Sequence, residues 1–173
     1  MWLLPLAMAA PYSFSAAESR LGFSAVASLH SFDGRAGSFF GSFDPESQVG
    51  SMEVAAASLS TGLGPRDERL RLWCLETEKY PTIRFIVAQI EGNLPDPGEG
   101  SGTMTLTGDL SIRDQTRRIA VPLSWSREEE ALRLRGQLPL RWADFGIPDP
   151  GLLISTLQPD IQLHFDLLAR PEP

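Results

Sequence analysis

The side chains able to do chemistry are few. The chain has two histidines and one cysteine. His30 opens the stretch His30-Ser31-Phe32-Asp33, which holds the residue types of a hydrolase triad. Such a triad is assembled from separate elements, and adjacency within one loop does not create it. His164 stands apart, and neither histidine falls at ligand spacing from the other or from Cys74, so no metal site is expected. A Gly-x-Ser-x-Gly elbow, a phosphate loop and a dinucleotide fingerprint are all missing. The expectation is a protein that is not an enzyme and uses no cofactor. An enzyme for a hydrophobic substrate would need His30, Asp33 and Arg66 to converge. Cys74 shares a helical stripe with Leu70 and Trp73, where a cysteine packs as a small hydrophobe. For Arg66-Asp67 two roles stand open: the arginine meets a ligand head group, or the pair pins the end of a helix.

The elements that position these groups are mostly strands. Residues 61–87, TGLGPRDERLRLWCLETEKYPTIRFIV, interrupt them: Pro65 suits the first turn of a helix, and Asp67 and Glu68 lie beside its free N–H groups. Leu70, Trp73 and Cys74 at i, i+3, i+4 form its apolar stripe. Tyr80-Pro81 ends it, because the residue before proline is pushed out of the helical region. Elsewhere apolar residues recur every second position. One face carries Leu21, Phe23 and Ala25; Met52 and Val54; Ile83, Phe85 and Val87, in a strand apolar on both sides; Met104 and Leu106; Val121 and Leu123; Leu134 and Leu138; Leu163 and Phe165. His30 to Gly37 reads as a turn region, and in Ser38–Asp44 the phenylalanines fall at both parities. Pro139 marks an edge or a bulge. The count is about eight strands with one helix between the third and fourth, the pattern of a closed antiparallel β-barrel. A sandwich satisfies the alternation equally.

Composition narrows the classes further. A formal charge of −7 and a pI near 4.8 argue against a nucleic-acid partner, which would require a basic surface. Fifteen glycines and fourteen prolines suit an all-β chain of strands and turns. The first ten residues, MWLLPLAMAA, are apolar and contain Ala7-Met8-Ala9, so residues 1–9 read as a signal peptide without its basic start, and residues 10–173 as one exported domain. Ten residues are too few to span a bilayer. Exposed edge strands leave a homodimer open.

Several motifs together resemble the YceI-like polyisoprenoid-binding family. They are Leu21-x-Phe23, Leu29-His30-Ser31-Phe32-Asp33-Gly34, Ser60-Thr61-Gly62, Arg66-Asp67 with Leu70-Arg71, Tyr80-Pro81-Thr82-Ile83-Arg84-Phe85, Gly102 to Leu110, and Asp144-Phe145-Gly146. The resemblance implies an extended lipocalin-like barrel in the periplasm or beyond, with a polyprenyl lipid, an isoprenoid quinone or another long-chain amphiphile in its bore. The inward residues named above, with Phe85 alone from the strand apolar on both sides, would line that bore, Leu70 and Trp73 would close one end, and Arg66 and Arg71 would stand at the lid or head group. Small inward residues, Ala25, Ala27, Ala56, Gly108 and Gly136, would leave the channel open, since interiors do not keep large voids without reason. The alternative is a filled-core barrel that serves as a protein-interaction or stress-protective module.

Overall fold

A computed structural model describes residues 10–96, 98–150 and 156–173; the expected signal segment 1–9 lies outside these. The period-two segments become strands: β1 (Tyr12–Ser15), β2 (Arg20–Val26), β3 (Ser31–Ala36), β4 (Phe39–Asp44), β5 (Val49–Ala55), β6 (Leu59–Ser60), β7 (Thr82–Gly92), β8 (Ser101–Ile112), β9 (Gln115–Glu128), β10 (Ala131–Arg141) and β11 (Asp160–Pro171). All pairings are antiparallel, and β11 pairs with both β1 and β2, which closes the sheet on itself.

The eleven strands form eight staves, because the first three staves are each broken in two. β1 runs on into β2, β3 into β4, and β5 into β6 through a short 3-10 turn, Ala56–Ser58. The breaks lie side by side. Ala16 N–H donates to Phe39 O (3.0 Å), Ala55 N–H to Ser38 O (3.0 Å) and Gly37 N–H to Ser58 O (3.1 Å). On the other side of the first break, the buried Ser19 hydroxyl accepts from Leu168 N–H at 3.0 Å, between the β1-paired and β2-paired parts of β11. A crease thus crosses three staves while buried backbone groups stay paired. The barrel is a closed meander of eight staves, with the helix between the third and fourth.

Two expectations need correction here. Residues 31–36 form a strand, not a turn: Phe32, Gly34 and Ala36 are its inward row, and the small residues in that row hid the alternation. The second concerns β7, apolar on both sides in the sequence: it is paired along both edges, with β5 and β8, but only its inner face is covered, and Ile86 on the outer face is 49% exposed. The phase of β4 is also settled. Phe39 and Phe43 are buried inward, and Phe40 is exposed. Pro139 sits on β10 beyond Gly136, the last residue of β10 that pairs with β9, so its missing N–H leaves no gap in that ladder.

Candidate functional site

The inward rows divide the barrel into a solid end and a less filled middle. At one end Tyr12, Phe14, Phe39, Phe43, Trp125, Leu132 and Leu134 form a packed cluster with Met104, Leu123 and Val54. Trp125 is 2% exposed and donates from Nε1 to Asn93 O at 2.7 Å. At the helix end a second cluster joins Cys74, Leu75, Phe85, Leu110, Val121, Leu138 and Phe145. Between them Leu59, Ile83, Val87, Leu106 and Phe165 touch both clusters yet are only partly buried. Leu21 and Met52 adjoin them from the plugged side and Leu163 from the helix side. These side chains face the interior and still keep accessible surface. Of this belt, Leu59, Ile83 and Val87 are outside the expected lining: Leu59 lies in a two-residue strand too short to show a period, and Ile83 and Val87 lie in a strand apolar on both sides, from which only Phe85 is expected to line the bore.

The glycines of the wall do something the sequence did not suggest. A β-carbon on Gly34 would fall 2.3 Å from the Phe23 ring, on Gly41 2.3 Å from Phe14, on Gly102 2.8 Å from Trp125, on Gly108 2.7 Å from Phe85, and on Gly136 2.5 Å from Phe165. In four of these pairs the ring and the glycine are direct cross-strand partners: Phe23 with Gly34, Phe14 with Gly41, Trp125 with Gly102, and Phe165 with Gly136. Gly108 and Gly136 are therefore not empty places across the bore, as the small-residue argument had it. An aromatic ring from the next strand lies over each of them, along the wall.

At the helix end, α1 (Gly64–Arg69) starts with Pro65 in its first turn, as expected, and then widens into a π-helical turn, Leu70–Cys74. There Leu75 N–H donates to Leu70 O at 2.9 Å. This i→i+5 bond shifts the apolar face. Cys74 and Leu75 turn inward, and Trp73 does not close the bore: it is 68% exposed, beside exposed Leu72. The stripe at i, i+3, i+4 assumed a regular helix, and the wider turn rotates Trp73 out. Replacing Trp73 by serine should accordingly move the melting temperature by less than about 2 °C, as for other exposed positions. A larger fall in a thermal melt would mean that Trp73 packs inward. Cys74 is buried, and burial pushes its thiol pKa up, which suits packing rather than reactivity.

The Arg66-Asp67 pair is tied to the preceding strand. The Asp67 carboxylate accepts from Ser60 Oγ (2.8 Å), Thr61 N–H (2.7 Å) and Thr61 Oγ1 (2.6 Å). Arg66 donates from Nε to Thr61 Oγ1 (2.7 Å) and from Nη2 to Thr61 O (3.0 Å), and its guanidinium stacks 4.1 Å over the Phe32 ring. Neither Phe32 nor Thr61 is among the partners expected from the sequence, and Phe32 lies in the segment whose small inward residues hide its strand. Arg71 is exposed on the helix surface. Arg113, on the β8–β9 turn, holds the far end of this region by bonding Glu76 and Gly146 O.

His30, Asp33 and Arg66 hold separate partners. Asp33 accepts from Ser24 Oγ at 2.6 Å, Arg66 is bound to Thr61, and His30 is exposed beside Phe32 with ring centroids 6.1 Å apart. Among the described residues no three His, Cys, Asp or Glu side chains cluster as metal ligands, and no helix is long and apolar enough to cross a membrane. A shallow open groove across β7–β10, lined by Glu91, Thr103, Ser124, Arg135 and Gln137 among others, lies on the outer wall, away from the belt.

A closed eight-stave meander with one plugged end, an apolar belt and a helix at the other end defines an extended, lipocalin-like barrel. The chain belongs to the YceI-like domain family, whose model matches residues 12–169. A search of curated proteins returns no match. Among solved structures, a polyisoprenoid-binding domain from Saccharophagus degradans, implicated in plant cell wall breakdown, aligns with a TM-score of 0.78 at 15% identity, covering 95% of this chain and 99% of its own. BcnA from Burkholderia cenocepacia aligns with a TM-score of 0.72 at 21% identity, covering 88% and 97%. The YceI protein of Campylobacter jejuni aligns with a TM-score of 0.67 at 20% identity, covering 81% and 85%.

Proposed function

We propose that this protein binds a long-chain lipid, an isoprenoid foremost, in the middle of its barrel, and carries or stores it in the periplasm or outside the cell. One observation supports this above the others: inward apolar side chains, Leu21, Met52, Leu106, Leu163 and Phe165, keep accessible surface between two packed ends. Burying a lipid tail there gains about 0.8 kcal/mol per methylene-sized group, so a few isoprene units bind without polar contacts. Head-group selectivity is then weak. Arg66 is already engaged by Thr61 and Phe32, which leaves Arg71 as the exposed cation of the helix. The isoprenoid assignment draws on family membership and on the Saccharophagus degradans domain.

Organic extraction of the purified protein, followed by mass spectrometry, is the test. A prenyl lipid or other long-chain lipid at near one copy per protein is expected. Extracts with no lipid, from protein that is folded and has not been exposed to detergent, would leave the filled-core module as the better reading.

A further inference from the structure

Among the described residues, five phenylalanine or tryptophan rings lie over glycines, and of these the Phe23–Gly34 pair combines freedom of the ring with a place in the bore. Phe23 faces inward, is partly exposed, and among the described residues packs against neither buried cluster. Its backbone partners are Gly34 on β3 and Leu163 on β11, so it stands beside the belt. The three nearest neighbours of a β-carbon on Gly34 would all be Phe23 ring atoms, at 2.3, 2.3 and 3.0 Å. At Gly41, Gly108 and Gly136 a carbonyl oxygen of the neighbouring backbone also comes within 2.7 Å, so a side chain there strains the wall itself. At Gly34 the nearest atoms are all the ring's and no other atom comes closer than 3.0 Å, so the ring is what gives way, and with Gly34 forming the wall behind it the displacement is toward the lumen.

We propose that the Phe23–Gly34 pair sets the width of the bore and so selects the shape of the chain it admits. The inference rests on the lipid-binding reading above. Because residue 34 has no side chain, the Phe23 ring lies along the wall, and the cross-section beside it accommodates a tail that carries methyl branches. A methyl on residue 34 displaces the ring by about an ångström, the difference between 2.3 Å and an ordinary van der Waals contact of 3.4 Å. That is the scale of a branch methyl, and hydrophobic sites discriminate one such group by about tenfold or more.

The probes are geranylgeraniol and hexadecanol, which have the same main-chain length and differ in branching and unsaturation. The two compete for purified protein, and bound alcohol is read by native mass spectrometry. Gly34→Ala is expected to lower the geranylgeraniol-to-hexadecanol ratio by about tenfold or more relative to wild type. Its melting temperature should change by no more than about 3 °C, because the ring it moves belongs to neither packed cluster. Gly102→Ala, which drives Trp125 out of the plugged end, should do the reverse: a clear loss of stability with the ratio unchanged. Adding Phe23→Leu to Gly34→Ala should restore the ratio. Phe23→Leu alone touches no backbone contact, and should weaken hexadecanol more than geranylgeraniol, because a thin chain loses the ring face it lies on. The proposal is overturned if Gly34→Ala loses both alcohols equally or keeps the wild-type ratio, or if Phe23→Leu leaves the ratio unchanged. Wild-type protein that binds neither alcohol would overturn the lipid reading and the width gauge with it.

Discussion

Replacing Trp125 by alanine should cost about 4 kcal/mol of stability, the usual range for truncating a large buried aromatic. For a domain of this size that is a fall of roughly 10 °C in melting temperature. Three losses combine. The indole is one of the largest fully buried side chains, so its removal leaves a cavity in the plug. Asn93 O loses the indole N–H it accepts at 2.7 Å. The Gly102 backbone, which a β-carbon could not share with this ring, is left uncovered. Trp125→Phe should recover most of the packing but not the hydrogen bond, placing it between wild type and alanine in a thermal or urea melt. In whatever fraction of the alanine variant stays folded, lipid occupancy should match wild type, because Trp125 sits in the plugged cluster and not in the belt. A melt that Trp125→Ala leaves unmoved would show that this end is not the anchor of the fold.

The contrast between Trp125 and Trp73 shows where the sequence is legible. Trp125 ends a run of alternating apolar residues, Ile119, Val121 and Leu123, and in a strand the period of two fixes its direction whatever the neighbours do. The count of about eight strands and the gap that the helix fills follow from such runs, while the runs fit a sandwich equally well and the choice of a barrel rests on the inserted helix and the family resemblance. Trp73 depended on an angle per residue, and a single i→i+5 hydrogen bond changed that angle. Nothing in Leu70-Arg71-Leu72-Trp73-Cys74 announces a π-turn. Strand β3 was lost for a different reason. Its inward positions include Gly34 and Ala36, which carry no hydrophobic signal of their own, because the bulk over Gly34 comes from Phe23 on another strand. Pairings of this kind are fixed by register between strands, which only closure of the sheet defines. The same fact undid the argument from Gly108 and Gly136: a small residue opens a cavity only if no neighbour leans over it, and here Phe85 and Phe165 do.

Asp67→Ala should cost about 3 kcal/mol at neutral pH, because one carboxylate that is 8% exposed ties three donors of the Ser60-Thr61 segment to the first turn of the helix. Without it the Thr61 N–H loses its acceptor, and Arg66, bound to the same threonine and stacked on Phe32, loses the anion beside it. Acid dependence supplies an independent check. Burial pushes the Asp67 pKa up, but the hydrogen bonds from Thr61 and Ser60, with Arg66 alongside, outweigh it, so the folded value lies below the ordinary 3.8. A carboxyl whose pKa is depressed on folding adds stability that is complete above the unfolded value and disappears as pH falls through the folded one. The gap in unfolding free energy between wild type and Asp67→Asn should therefore be widest near neutral pH and narrow below about pH 4. Glu18, Asp109, Glu128 and Asp166 are also held low by arginine partners, yet they are common to both proteins and cancel in the difference. Urea melts of the two proteins at neutral and at acid pH measure that gap directly. A gap that stays constant down to pH 3 would mean that Asp67 acts through packing alone, and that the charge of the Arg66-Asp67 motif does not hold the helix to the barrel.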